Sequence, residues 1–370
     1  MTNLIVTLLS DQTIPNVQFI KEKQNDETVF LFVSTQKMKN KDVQKWIMGV
    51  CNILEDKLIP IETVDEFSLD DIETKLNKLD YSQYENIYVN VTGGTKLMSI
   101  CVTDFFRAKN AEIYYITGKD CWHIFPVSKR YSAPLKDNIT LKDYVESYGF
   151  QIRESKLSGI DFDYTSRFFD WFLADRNGKH KEILNSLRQY RGEKKIIIKD
   201  VDGLSGFLDE IDFPFSDSQK IHLFKSEIKF LTGEWFEEYI YYRLKQELPF
   251  KDNIKTGITL IKDNIENEFD IVFLWNGILY TVECKTSIIN KNKAEEELNI
   301  LNDTIYKVTA IQKNLGLYSK FSILTLSSKD NKVIKHTHLD RGKLFNIDIF
   351  DREDILNTQS IAQLLKLKLC

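Results

Sequence analysis

Residues 268 to 285 read Glu-Phe-Asp-Ile-Val-Phe-Leu-Trp-Asn-Gly-Ile-Leu-Tyr-Thr-Val-Glu-Cys-Lys, two β-rich runs around Asn276-Gly277. Asn-Gly is the strongest short hairpin signal, because both central positions of a type I′ turn take positive φ. A two-residue turn pairs Trp275 with Ile278, and stepping outward sets Asp270 opposite Glu283 and Glu268 opposite Lys285. Alternation places these four side chains on one face. The other face is apolar throughout: Phe269, Ile271, Phe273, Trp275, Ile278, Tyr280, Val282 and Cys284.

Opposed strand residues have Cβ atoms only about 5 Å apart, and like charges there are destabilising. A divalent cation with hard oxygen ligands would offset Asp270 against Glu283, with Lys285 adding a fixed positive charge. An ordinary solvated strand face is the plainer alternative. Against it, the turn-proximal part of the same face (Val272, Leu274, Leu279, Thr281) is largely apolar, so the charges occupy the end of a buried face.

Asp270 followed by Glu283-Cys284-Lys285 resembles the Asp…Glu-x-Lys motif of PD-(D/E)xK nucleases. The resemblance implies that Asp270, Glu283 and the Cys284 carbonyl hold Mg²⁺ or Mn²⁺, and that Lys285 orients or activates water. Upstream, Gly233-Glu234-Trp235-Phe236-Glu237 opens a helix and is similar to the first motif of that group, whose glutamate completes the metal site. Glu237 takes that position, with Glu234 and Glu238 as alternatives; a carboxylate favoured by the helix dipole is an equally simple account. Tyr306 and Lys307, on the following helix, are candidates to face a substrate phosphate, with a solvated helix surface as the plainer alternative for the lysine.

Outward from this hairpin the chain alternates elements. Strands at 4–9, 28–33, 86–91 and 111–116, with helical stretches at 43–54, 72–79 and 97–107, form the βαβ plan of a mostly parallel, Rossmann-like sheet. A further strand near Thr117–Phe125 predicts an antiparallel edge. Residues 1–140 are read as one domain, 141–220 as a connector with helical elements, and 221–370 as a second α/β domain. In the last, a second helix is expected from about Lys293 to Leu315.

Two loops of the first domain carry polar groups. Asn90-Val91-Thr92-Gly93-Gly94-Thr95-Lys96 joins a strand to a helix; its glycines permit close backbone approach, and a helix N-terminus with Thr92, Thr95 and Lys96 suits phosphate. This is not a Walker A loop, so nothing in it implies ATP hydrolysis. Ser10-Asp11-Gln12-Thr13-Ile14-Pro15-Asn16 follows the first strand, at the edge where doubly wound sheets bind ligands; a simple capping loop is the alternative. Together these segments resemble the CARF domain of CRISPR-associated defence proteins, with Ser10, Gln12, Thr13, Thr92, Gly93, Gly94, Thr95 and Lys96 as ligand residues. The fold expected is therefore α/β, an N-terminal Rossmann-like (CARF) domain plus a C-terminal restriction-endonuclease-like PD-(D/E)xK domain. The combination is similar to the cyclic-oligoadenylate-activated nucleases of type III CRISPR systems. It implies a homodimer, cyclic oligoadenylate (commonly cyclic tetra-adenylate) as allosteric activator, and RNA or DNA as substrate.

The bulk properties agree. A chain of 370 residues exceeds the size of one ordinary core. A net charge of −5 argues against coating nucleic acid by bulk charge, though not against local contacts. Lys291, Lys293, Lys307 and Lys313 gather in the C-terminal half, as a solvated helix face also would. No apolar run is long enough to span a membrane, and Met1 to Leu9 reads as a first strand, not a signal peptide. Cys51, Cys101, Cys121, Cys284 and Cys370 form no CxxC pair, which fits reduced thiols in a cytoplasm. An ungated restriction or repair nuclease, and a ring nuclease with an inert C-terminal domain and His123 as its one candidate group, are the competing readings.

Overall fold

The computed structural model describes residues 2–367 except 119, 137–138, 155, 175–177, 250–252, 292–296, 318 and 330–332. Strands β1 (Asn3–Leu8), β2 (Thr28–Val33), β3 (Asn86–Asn90), β4 (Glu112–Thr117), β5 (Asp120–Phe125) and β6 (Tyr131–Pro134) form the first sheet, in the order β2-β1-β3-β4-β5-β6. The first four run parallel and the last two return antiparallel, the edge the sequence predicts. Their apolar runs suit strands covered on both faces: Leu4, Val6 and Leu8 point into one core, Ile5 into another.

β7 (Gln151–Glu154) lies in the segment read as connector, yet it is the edge strand of a second six-stranded sheet. After the short ribbon of β8 (Lys195–Ile197) and β9 (His222–Phe224) come β10 (Ile254–Lys262), β11 (Ile265–Trp275) and β12 (Ile278–Lys285). A second ribbon, β13 (Ile289–Lys291) with β14 (Glu297–Asn299), precedes β15 (Ser319–Thr325) and β16 (Ile347–Phe350). The second sheet runs β16-β15-β12-β11-β10-β7. Its helix before β15 begins at Leu301, later than expected, because the chain first makes β14 and Asn299 then accepts the Leu301 N–H. Lys293 and Cys370 lie outside the described residues.

One face of the second sheet packs on the Trp235–Glu247 helix and on helices of residues 162–210; the other packs on the Leu301–Gln312 helix. The latter core is continuous with the N-terminal sheet through the helices Ile14–Lys23 and Leu141–Ser147. The two sheets therefore share buried side chains. Among the described residues no helix is long and apolar enough to cross a membrane, and Cys51, Cys101, Cys121 and Cys284 are buried and free.

Candidate active site and ligand loops

The hairpin turn forms as expected, with Asn276 and Gly277 both at positive φ and Trp275 paired with Ile278. The ladder runs inward only as far as Ile271–Val282. Beyond that pair the strands part company. β11 stays with β10, where Glu268 faces Thr259, while β12 stays with β15, where Lys285 faces Thr325. The expected oppositions of Asp270 to Glu283 and of Glu268 to Lys285 are thus both absent from the ladder, and β11 exchanges its faces. Phe269 packs in the core of the Leu301 helix, whereas Ile271 packs on the Trp235 side. The exchange falls between those two residues, in register with Gly257 of β10, whose φ of 60 an L side chain rarely adopts.

Asp270 and Glu283 stand in this fork. Asp270 Oδ2 accepts the Cys284 N–H at 2.7 Å, so its side chain takes the place of the missing ladder bond. Thr256 Oγ1 donates to the Asp270 carbonyl at 2.8 Å. Lys285 Nζ lies 3.0 Å from Asp270 Oδ2 and 3.1 Å from Glu283 Oε2. The ammonium thus sits between the two carboxylates and offsets part of their charge. Lys307 Nζ sits 3.6 Å from Glu283 Oε1 and donates to the Glu268 carbonyl at 2.8 Å.

Burial is severe here. Glu283 is only 2% exposed, and its Oε1 accepts no hydrogen bond. Burial first, and then the Asp270 charge, raises the Glu283 pKa against the pull of Lys285 and Lys307. For Lys285 burial opposes the charge, but Asp270 and Glu283 outweigh it and hold the ammonium above its usual range. Glu237 reaches the same cluster from the helix: burial, then Asp270, then Glu234 push its carboxyl well above the carboxylate range. The alternatives to it are engaged elsewhere. Glu234 pairs with Arg191 and Lys229, and Glu238 accepts both the N–H and the hydroxyl of Ser158. Among the described residues no three His, Cys, Asp or Glu groups converge to hold a metal ion by themselves.

The ligand loops are neighbours, with Ser10 Oγ 3.4 Å from where a Cβ would stand on Gly93. Several of their side chains have structural partners. Thr13 is fully buried against Ser147, its Oγ1 at 2.9 Å from the Ser147 hydroxyl. Gln12 Oε1 accepts the Leu317 N–H at 2.9 Å, which ties this loop to the segment between the Leu301 helix and β15. Gly93 is demanded by packing: a Cβ would fall 2.1 Å from the Leu8 carbonyl oxygen. Thr92 Oγ1 takes the Ile116 N–H, and Thr95 caps the Lys96–Arg107 helix through the Met98 N–H. Gly94 takes φ 70, and Lys96 is exposed at the helix start. Sequence reasoning missed the buried amides of Asn16, in the Ile14–Lys23 helix, and Asn90, at the end of β3: they bond each other at 2.9 Å, and Asn16 Nδ2 donates to the Leu8 carbonyl of β1 at 2.9 Å, so Asn16 ties the helix to both strands.

The fold and this geometry define a two-domain protein, a Rossmann-like domain joined to a restriction-endonuclease-like domain. Residues 4–144 match the family model of the Card1 CARF domain, and residues 224–359 match that of the Card1-like endonuclease domain. The chain is thus a CARF domain followed by a Card1-like endonuclease domain. Can2 from Sulfobacillus thermosulfidooxidans, solved in complex with cyclic tetra-adenylate, is 22% identical with a TM-score of 0.69, covering 95% of this chain and 94% of its own. VC1899 from Vibrio cholerae is 15% identical with the same TM-score of 0.69 and 95% of each chain covered. A type III CRISPR defence DNA nuclease activated by cyclic oligoadenylate is 15% identical, with a TM-score of 0.51 over 88% of this chain and 45% of that one. No curated protein matches.

Proposed function

We propose that this protein is a metal-dependent endonuclease that cleaves RNA or DNA in antiviral CRISPR defence when a cyclic oligoadenylate binds its CARF domains. One observation carries the gating. The Leu301–Gln312 helix reaches Glu283 through Lys307, and the loop that follows it is bonded at Leu317 to Gln12 of the first ligand loop. A displacement of the first loop would reach the Glu283 carboxylate through one hydrogen bond, the Leu301–Gln312 helix and one ion pair.

The oxygens of Asp270 and Glu283 suit a hard divalent cation, Mn²⁺ or Mg²⁺, and Glu283 Oε1 is buried without a hydrogen bond. Asp270, Glu283 and the Cys284 carbonyl would hold the ion with Glu237 beside them, and substrate phosphate and water would complete its shell. Bound there, it would supply charge against the developing phosphoryl oxygens and make water a better nucleophile. Lys285 and Lys307 orient the carboxylates and face the phosphate with fixed positive charge.

In the N-terminal domain, Lys96, the Ser10 hydroxyl and the backbone around Gly94 and Thr95 contact the ring. A two-fold symmetric polyanion suits a homodimer in which each subunit presents the same loops to half of it. Cyclic tetra-adenylate, the ligand in the Can2 structure, is the first ring to try. Buried free cysteines fit work in the cytoplasm. Lys96→Ala tests the ligand assignment: titration calorimetry with cyclic tetra-adenylate should show affinity reduced about tenfold, the scale of one charge-assisted hydrogen bond. Parent-like affinity in that variant would remove the loop from the ligand site.

A further inference from the structure

Residues 145–223 lie between the two family matches, and they bring a cationic cluster to the entrance of the catalytic helix. Arg191, in the turn after the Lys181–Arg188 helix, donates from Nη1 to the Thr232 carbonyl at 3.4 Å and from Nη2 to Glu234 Oε1 at 3.2 Å. Lys229 Nζ donates to the same oxygen at 2.8 Å. Gly233, at φ 148, lets the chain turn beneath the guanidinium. Arg188, three residues before Arg191, donates to the neutral Asn185 amide oxygen at 3.2 Å. Packing, and after it the Arg191 charge, lowers the Arg188 pKa.

The cluster extends along one flank. Lys225 is four residues before Lys229, so the two share a helix face, and the Lys225 N–H donates to the Lys194 carbonyl at 3.0 Å. Lys195 is paired with Phe224 in the β8–β9 ribbon. A staple fastening the turn to the catalytic helix would need one cation on Glu234. Here one carboxylate faces two, with a third beside them, and the Arg191 and Lys229 side chains stay 40% and 32% exposed. Position decides what the surplus charge can meet. Glu234 precedes Glu237 by three residues, about one helical turn, and its charge acts on the Glu237 carboxyl.

We propose that Arg188, Arg191 and Lys229, with Lys194, Lys195 and Lys225 on the flank, form a track for the phosphodiester backbone of the nucleic-acid strand entering the Asp270–Glu283 site. The segment between the two matched domains thereby supplies substrate grip. This rests on the nuclease reading above. Contacts to phosphate position a strand without reading its sequence, so the track grips all sequences alike.

The test uses the full-length Glu283→Ala protein, which holds substrate without cutting, with saturating cyclic oligoadenylate present, and fluorescence anisotropy on labelled single-stranded RNA, single-stranded DNA and duplex DNA across a salt series. Arg191→Ala and Lys229→Ala should each flatten the log-affinity against log-salt slope by about 0.7 on single strands or about 0.9 on duplex, and weaken binding about fivefold near 0.1 M salt. Arg191→Lys should keep the slope. Lys225→Ala and Lys195→Ala, exposed changes that spare the Glu234 pairs, carry the same test should Arg191→Ala melt early. Variants that bind every strand with the parent's affinity and slope overturn the track alone. A parent that binds no nucleic acid overturns the nuclease reading with it.

Discussion

The two six-stranded sheets place their polar groups in opposite ways. In the N-terminal sheet β1 to β4 are mostly apolar along their length, and the polar work falls to the loops after β1 and β3. In the C-terminal sheet Asp270, Glu283 and Lys285 stand in the bodies of β11 and β12, where those strands diverge. Groups borne on packed strands are held by neighbours on both faces, the preorganisation catalysis asks for. Groups borne on loops can shift by small amounts. The first ligand loop is bonded sideways to Leu317, so a shift there reaches the other domain. On the proposed function the difference divides the tasks, one sheet acting and the other reporting.

The largest effect should come from breaking the strand-borne site. Glu283→Ala should lower the cleavage rate by roughly 10⁴-fold or more, the scale of losing a central catalytic group, while calorimetry shows unchanged ligand affinity. Cleavage at the parent rate would move the active site elsewhere. Lys285→Ala should cost on the order of 10²-fold, the loss seen when one preorganised stabilising group is removed. Since it also leaves two buried carboxylates facing each other, its rate is best read below a separately measured melting temperature; full activity would hand the role to Lys307. The smallest change concerns the bridge. Gly316 has φ 83, and a Cβ on it would fall 2.1 Å from Tyr148 Oη and 3.3 Å from Gln12 Oε1. Gly316→Ala should therefore pry the loops apart and lower ligand stimulation by about 5- to 150-fold, a coupling of about 1–3 kcal/mol, with ligand affinity in the CARF loops nearly intact. Undiminished stimulation would show that the coupling runs by another route.

Strand periodicity and one Asn-Gly turn were enough to place Asp270, Glu283 and Lys285 together, because a hairpin register follows from its turn. The same rule failed from Asp270 outward, where the ladder to β12 has ended. Nothing in the residue types of Glu268 or Phe269 announces that β11 leaves β12 and changes face there; the signal lies on β10, where Gly257 adopts positive φ. Loop residues were legible by type and not by direction. Gln12 and Thr13 have the chemistry of ligand contacts, yet Leu317 and Ser147 claim them, both more than a hundred residues away in sequence. Arg191 was invisible for a similar reason, since its partner Glu234 belongs to another unit.

The most direct test of the central claim is cleavage of labelled RNA and DNA by the parent protein with Mn²⁺ or Mg²⁺, with and without saturating cyclic oligoadenylates of several ring sizes. A gated nuclease requires a ring that binds the active arrangement more tightly than the resting one, since equal affinity for both shifts nothing. The account predicts little cutting without ligand and strong stimulation by one ring size, cyclic tetra-adenylate first. Full activity in ligand-free protein, unaltered by every ring, would contradict it and leave an ungated nuclease.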